Sequence, residues 1–340
     1  MFNLLIFVFT LFALSSAETD RYDVTLKIPN KAFDGEIWMA CTTTTLKDVK
    51  QFVTNFQPVA NPGIVHHMSI HVCEKPFSTD PYWACVDKNR VCGPSGRLPL
   101  FEWGRDAPGW KIPEGYGIPV DRDHLHVVLQ IHMKEDIKAS ATGPLDFSGL
   151  RVSLRTTQPQ YEIAMGVLGN VGYVPAKTGA ATTDSACKWP LPMTVPLAAY
   201  SLHTHNLGRA VSAYIIRNGE WIEIGRGDPG YPEMVMDIAD RGLTIRPGDI
   251  LAARCTFDND QDHDVKFGSE HGGEMCNVYL HYGVSSDTPA HQRMLQCSTN
   301  AQKFHWDTYF ESTPADASDP NGDTDQARMV KRLGLVKVPY

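Results

Sequence analysis

Runs of like charge are missing from this 340-residue chain: no Lys/Arg run exceeds two residues, and the formal net charge is −8. That argues against nucleic acid or an anionic membrane surface as the partner. No N-x-S/T sequon is present, so no N-linked glycan is expected. No CxxC pair occurs, which argues against a zinc knuckle or a thioredoxin-type site. After residue 14 no apolar stretch is long enough to span a bilayer. Sustained 3.6-residue periodicity is also scarce, because 27 glycines and 23 prolines are scattered throughout.

What is present instead is a series of short strand-like runs. They include 22–28 (YDVTLKI), 126–132 (HVVLQIH), 150–155, 161–168, 250–257 and 275–282. The runs 211–217 and 221–225 flank Asn218-Gly219, a strong signal for a type I′ hairpin. Many short strands at regular spacing predict an all-β chain of sandwich architecture. The length suits two domains or one large β domain, and the polar stretch at 157–160 (TQPQ) marks a boundary between near-equal halves. The expected division is a signal peptide over 1–17, an N-terminal domain over 18–158, a C-terminal domain over 159–310 and a polar tail over 311–340. The segment 311–326 is rich in Asp, Pro, Ser and Thr and is expected to be loose. Lys331-Arg332 within the tail is either a dibasic cleavage site or an ordinary exposed pair.

The first fourteen residues, MFNLLIFVFTLFAL, are followed by Ser15 and Ala17 at the −3 and −1 positions of a cleavage site, then by acidic residues. The expectation is a secreted or secretory-granule protein with no membrane span. Eight cysteines, four within 41–92 and four within 187–297, then read as disulfides in two separately stapled halves.

Thirteen histidines are many for this length, and their placement is informative. Imidazole suits copper and zinc, and thioether selects Cu(I). His66-His67 are adjacent, and adjacent residues on a regular strand point to opposite faces. To share a metal they must sit at a strand end or an irregular turn, which Asn61-Pro62-Gly63 can supply; otherwise they are surface or core histidines. His203-Thr204-His205 is an HxH pair, which puts both rings on one strand face. His132 closes a strand that also carries Gln130 and His126 on its face; the alternative is a core histidine. His124 and His126 form a second HxH and compete as ligands. Met275 follows Gly272-Gly273 and precedes Cys276; a lone methionine is more often core packing.

Taken together, these motifs resemble the copper type II, ascorbate-dependent monooxygenases. The resemblance spans nearly the whole mature chain and rests on VHHM (65–68), VLQIH (128–132), HTHNLGRAVSAYIIRNGEW (203–221), GDILAARC (248–255) and EMCNVYLHY (274–282). It is closer to the peptidylglycine-hydroxylating branch than to the dopamine-hydroxylating one. It implies two jelly-roll-like β-sandwiches facing each other across a cleft, with two copper ions and ascorbate as reductant. His66, His67 and His132 would hold an electron-transfer copper, and His203, His205 and Met275 the copper that activates oxygen. It implies disulfides Cys41–Cys85, Cys73–Cys92, Cys187–Cys297 and Cys255–Cys276, and places Gln130, Asn277 and Tyr279 near the coppers and the substrate, with Tyr279 as a substrate contact. The implied reaction is hydroxylation of the Cα of a C-terminal glycine in a peptide, the first step of C-terminal amidation, with a separate lyase or spontaneous cleavage finishing it.

Two positions depart from the family pattern. Ser201 stands where the family carries an arginine that pairs with the substrate carboxylate, and a serine cannot form a bidentate, charge-assisted pair. Either another cation compensates, for example Arg209, or the substrate is an amine or another small molecule. Phe147 occupies one position of a further family disulfide. A third reading is a non-catalytic secreted copper-binding protein, which the retention of all six ligand positions disfavours.

Overall fold

The computed structural model describes residues 20–28, 39–60, 65–86, 88–94, 97–134, 148–268 and 272–338. The expected signal peptide, the Asn61-Pro62-Gly63 turn and Phe147 lie outside them. Within the first half, strands Arg21–Lys27, Gln51–Val59, Trp110–Lys111, Tyr116–Val120 and Gly149–Arg155 form one layer. Strands Trp83–Ala84, Met39–Thr45, His126–Met133, Val65–Cys73 and Arg97–Gly104, in that spatial order, form the other. Alternation explains the packing between them. Val53, Phe56, Leu150, Val152 and Leu154 from the first layer meet Met68, Ile70, Leu129, Ile131 and Trp103 from the second in one core.

The second half repeats the plan. Strands Tyr161–Val171, Cys276–Val284 and Val195–Thr204 are flanked by shorter pieces and by Met294–Asn300. They pack on a four-stranded sheet of Thr178–Lys188, Ile250–Asn259, Gly208–Arg217 and Glu220–Gly227 through Leu168, Leu202, Leu280, Val211, Ile215, Ala253 and Phe257. The hairpin at Asn218-Gly219 forms as expected, with φ of 54° and 83° at its two central residues. The all-β expectation holds, and all four implied disulfides are present.

The halves are also joined by hydrogen bonding. Tyr116–Val120 runs parallel to Tyr161–Val171 at Tyr116↔Tyr161 and Gly117↔Glu162, so the two inner layers run on as a single eleven-stranded sheet. The buried Glu162 carboxylate binds Lys50 at 2.7 Å and Arg293 at 2.6 Å, one from each half. Trp110 of the first half lies against His281 of the second, ring centroids 4.6 Å apart.

The tail is not loose. Thr324 accepts a hydrogen bond from the Ala327 amide and caps a helix over Asp325–Leu333, which Gly334 ends in the left-handed conformation. Arg226 donates to the carbonyls of Asp316, Asp319 and Asn321, and Gln326 is buried on the Asp228 main chain. The polarity that suggests disorder is used in these bonds, and Met329, Val330 and Leu335 pack onto the second core. Lys331 and Arg332 are exposed in the last turn of this helix.

Candidate metal centres

The adjacent histidines share a face because the strand that carries them is irregular. In Val65–Cys73, Val65 pairs with Met133 but His67 pairs with His132, so His66 is an extra residue opposite a single partner. Such a bulge re-aims a side chain that a regular strand would send to the other face. The Nδ1 atoms of His66 and His132 lie 3.1 and 3.2 Å from that of His67. Among the described residues these three form one group whose ligand atoms all lie within 4.8 Å of one another. Burial and the nearby His132 and His66 push the His67 pKa down to about 3, so its ring is neutral at pH 7. Neutral imidazole is the form that binds a metal. Three converging ring nitrogens cannot all donate to one another, and a cation among them resolves that conflict.

The second group stands on the Val195–Thr204 strand and just beyond it. His203 and His205 share a face, ring centroids 5.3 Å apart. His203 Nδ1 lies 2.7 Å from Glu233 Oε1, and His205 Nδ1 lies 2.8 Å from the Gly273 carbonyl oxygen. Both partners only accept, so each Nδ1 carries the proton and each Nε2 keeps its lone pair for a ligand. His203 Nε2 is 3.2 Å from Met275 Sδ. Burial lowers the His203 pKa, but the Glu233 carboxylate outweighs it, and the net shift is upward. Met275 is held beside the Cys255–Cys276 disulfide, which ties its strand to the opposite sheet. The chain turns after His205 at Gly208, where a Cβ would stand 1.9 Å from Thr204 Oγ1, so no larger residue fits.

The two donor sets differ in softness. Three imidazoles accept either oxidation state of copper, whereas two imidazoles and a thioether favour Cu(I). His124 and His126, the competing pair, join neither set: His126 Nδ1 meets Thr45 Oγ1 at 3.1 Å in an exposed contact.

Both halves match models of one family. The N-terminal domain of the copper type II ascorbate-dependent monooxygenases matches residues 24–139, and the C-terminal domain matches 162–310. The chain belongs to that family. Peptidylglycine alpha-amidating monooxygenase of Rattus norvegicus is 34% identical over 279 residues, covering 80% of this chain and 27% of the relative. The Mus musculus protein of that name is 36% identical over 241 residues, covering 69% and 24%. Dopamine beta-hydroxylase of Bos taurus is 26% identical over 270 residues, covering 71% and 43%. The chain thus spans about a quarter of the length of the amidating relatives it matches.

Gln130 is buried, its amide donating to the Cys85 carbonyl at 2.9 Å and its oxygen accepting from Ser69. Asn277 donates to Tyr279 Oη at 3.3 Å and approaches Met275 Sδ at 3.5 Å. Burial first, then Glu102 and Glu233, push the Tyr279 phenol up to about 12, so it stays protonated and able to donate. Ser201 and Tyr279 are register partners on adjacent strands. Arg209 is engaged elsewhere, on Asp258 at 3.0 Å and on the Asn206 and Gly208 carbonyls, so it does not replace the family's arginine. Glu233 and Glu274 are the residues that sequence reasoning missed. Glu233 reaches His203 from a loop 30 residues away, at no recognisable spacing, and Glu274 stands beside Met275 in the EMC motif without being singled out there. Burial raises the Glu274 pKa to about 7, and its Oε1 accepts from the Leu207 amide beside the HTH turn.

Proposed function

We propose that this chain hydroxylates the Cα of a C-terminal glycine in a peptide, the first step of C-terminal amidation, with ascorbate as reductant. His66, His67 and His132 hold one copper, in the domain 18–158, and pass electrons. His203, His205 and Met275 hold the other, in the domain 159–310, where substrate is oxidised. Copper supplies one-electron cycling and the reduction of dioxygen. The single observation that carries this reading is the pair of donor sets of different softness, one in each half of one chain.

The protein's own residues orient and exclude. Glu233 and the Gly273 carbonyl fix both HTH rings in the tautomer that leaves Nε2 free. Asn277 holds Tyr279, whose protonated phenol donates to a bound substrate. The bulge at His66 and the register pair His67–His132 preset the three imidazoles that would hold the first copper. Four disulfides support an oxidising, secretory compartment, and among the described residues no helix is long and apolar enough to cross a membrane. We assign the later cleavage of the hydroxyglycine to a separate lyase.

Ser201 favours a second reading, a related monooxygenase acting on an amine or other small substrate. A charged pair absent from a desolvated site forgoes about 2–5 kcal/mol of substrate binding. Mass spectrometry of a glycine-extended peptide incubated with the protein, copper, ascorbate and ¹⁸O₂ separates the two. One ¹⁸O on the terminal glycine supports the first reading. Ascorbate-dependent oxygen consumption with an amine and none with the peptide supports the second.

A further inference from the structure

We propose that Arg105 is a positioning residue that fixes the first histidine set relative to the second. The inference rests on the two-copper reading above. Arg105 follows Gly104, the register partner of His67, and its amide approaches the His66 carbonyl at 3.5 Å. Its side chain then leaves the first half altogether. Nη1 donates to the Pro229 carbonyl at 2.9 Å, and Nη2 donates to the Gly230 carbonyl at 2.7 Å and to that of Val338.

The backbone at this corner is unusual. Arg105 and Asp106 both have positive φ, 55° and 60°, which is uncommon for one non-glycine residue and more so for two in succession. The turn is held by Ala107 N–H to Gly104 O at 3.0 Å and Trp103 Nε1 to Ala107 O at 2.6 Å. Strained backbone of this kind persists where its surroundings over-determine it.

The receiving surface is equally tied down. The Gly230 amide donates to Asp228 Oδ1 at 2.7 Å, Lys337 binds Asp228 Oδ2 at 2.5 Å, and the Val338 amide donates to Gly230 O at 3.0 Å. Gln326 of the tail helix brackets Asp228 from the other side. Three residues beyond Gly230 is Glu233, which orients His203. The path from the His66–His67 bulge to the carboxylate on His203 therefore runs through the Arg105 backbone, the Arg105 guanidinium on the Pro229 and Gly230 carbonyls, and the short stretch of chain from Gly230 to Glu233. The tail closes the far side of this clamp, which gives its order a purpose beyond packing.

The test uses the full chain with Arg105→Ala and Arg105→Lys. In copper-free protein, spin labels at Phe77 and Met294, both exposed and one in each half, report the distance between halves. The expected result is a narrow distribution in the parent and a broadened one in Arg105→Ala. With copper loaded, Arg105→Ala should keep both equivalents and reduce with ascorbate as the parent does. Its product formed per oxygen consumed should fall about ten- to a hundredfold, the scale of a misplacement near 1 Å. Millimolar guanidinium should restore part of that coupling, and Arg105→Lys should fall between. An unbroadened distribution, or coupling equal to the parent's, overturns the proposal. A parent that binds no copper, with a distribution that is narrow in the parent and broadened in Arg105→Ala, overturns the two-copper reading and leaves the clamp standing.

Discussion

His67 and His132 are register partners on neighbouring strands, and their Nδ1 atoms lie 3.2 Å apart. That relationship, with His66 brought in by the bulge, makes a histidine triad from two strands that are distant in sequence. His132→Ala should therefore drop bound copper from two equivalents to one and abolish sustained turnover, while the hydroxylating site keeps its metal. Metal analysis after dialysis checks this; two retained equivalents would remove His132 from the ligand set.

Met275→Ile should give a folded protein that retains copper at the histidine triad and turns over no substrate. Isoleucine preserves the bulk beside Cys276 but offers no thioether. Near-normal hydroxylation by this variant would contradict the assignment of Met275.

Glu233→Gln keeps the shape and an accepting oxygen but removes the charge on His203. Outer partners of this type typically contribute about 10–100-fold in metal affinity. Competition with a Cu(I) chelator should show that loss at the second site alone. Unchanged affinity at both sites would mean that Glu233 merely neighbours the ring.

Glu162 joins the two halves, so its titration should be visible in stability. Burial alone would raise its pKa, but hydrogen bonds from Lys50, Gln158 and Arg293, and the Arg293 charge, hold it below its ordinary value of 4.5. The folded state thus binds its proton less readily than the unfolded chain. The stability this confers is complete above the ordinary carboxylate range and is lost as pH falls through the lower, folded-state value. Glu162→Gln should cost about 3 kcal/mol at pH 7, the lower part of the range because Lys50 is 40% exposed. The gap from the parent should narrow in acid. Urea melts at pH 7 and pH 3 measure both; a gap that widens in acid contradicts the sign.

The fold was legible where local patterning and packing agree. Period-two runs, the Asn218-Gly219 turn and the clustering of cysteines each have a local cause that the structure retains. Five of the six candidate donor positions stand in the short motifs HH, HxH and EMC, and the sixth, His132, in VLQIH; each motif alone left a core or surface reading open, and only the resemblance to the family grouped them into two sets. Glu233 was not, since a loop residue that reaches a ring 30 positions away leaves no periodic trace. The bulge was anticipated only as a requirement, as an irregularity that His66 and His67 need. The tail was misread because composition counts polar side chains without knowing their partners. Thr324, Gln326 and the carbonyls around Arg226 satisfy one another instead of water. Arg105 was invisible for the same reason: its three acceptors are main-chain oxygens, which carry no sequence signature.

Copper K-edge X-ray absorption on the fully reduced, dialysed protein tests the two-site assignment most directly. The expected result is two coppers per chain with sulfur scattering equivalent to one thioether shared between them, lost entirely in Met275→Ile while imidazole scattering from the first site remains. A single copper, or sulfur scattering that survives in Met275→Ile, would contradict the assignment of one triad of imidazoles and one mixed imidazole–thioether centre.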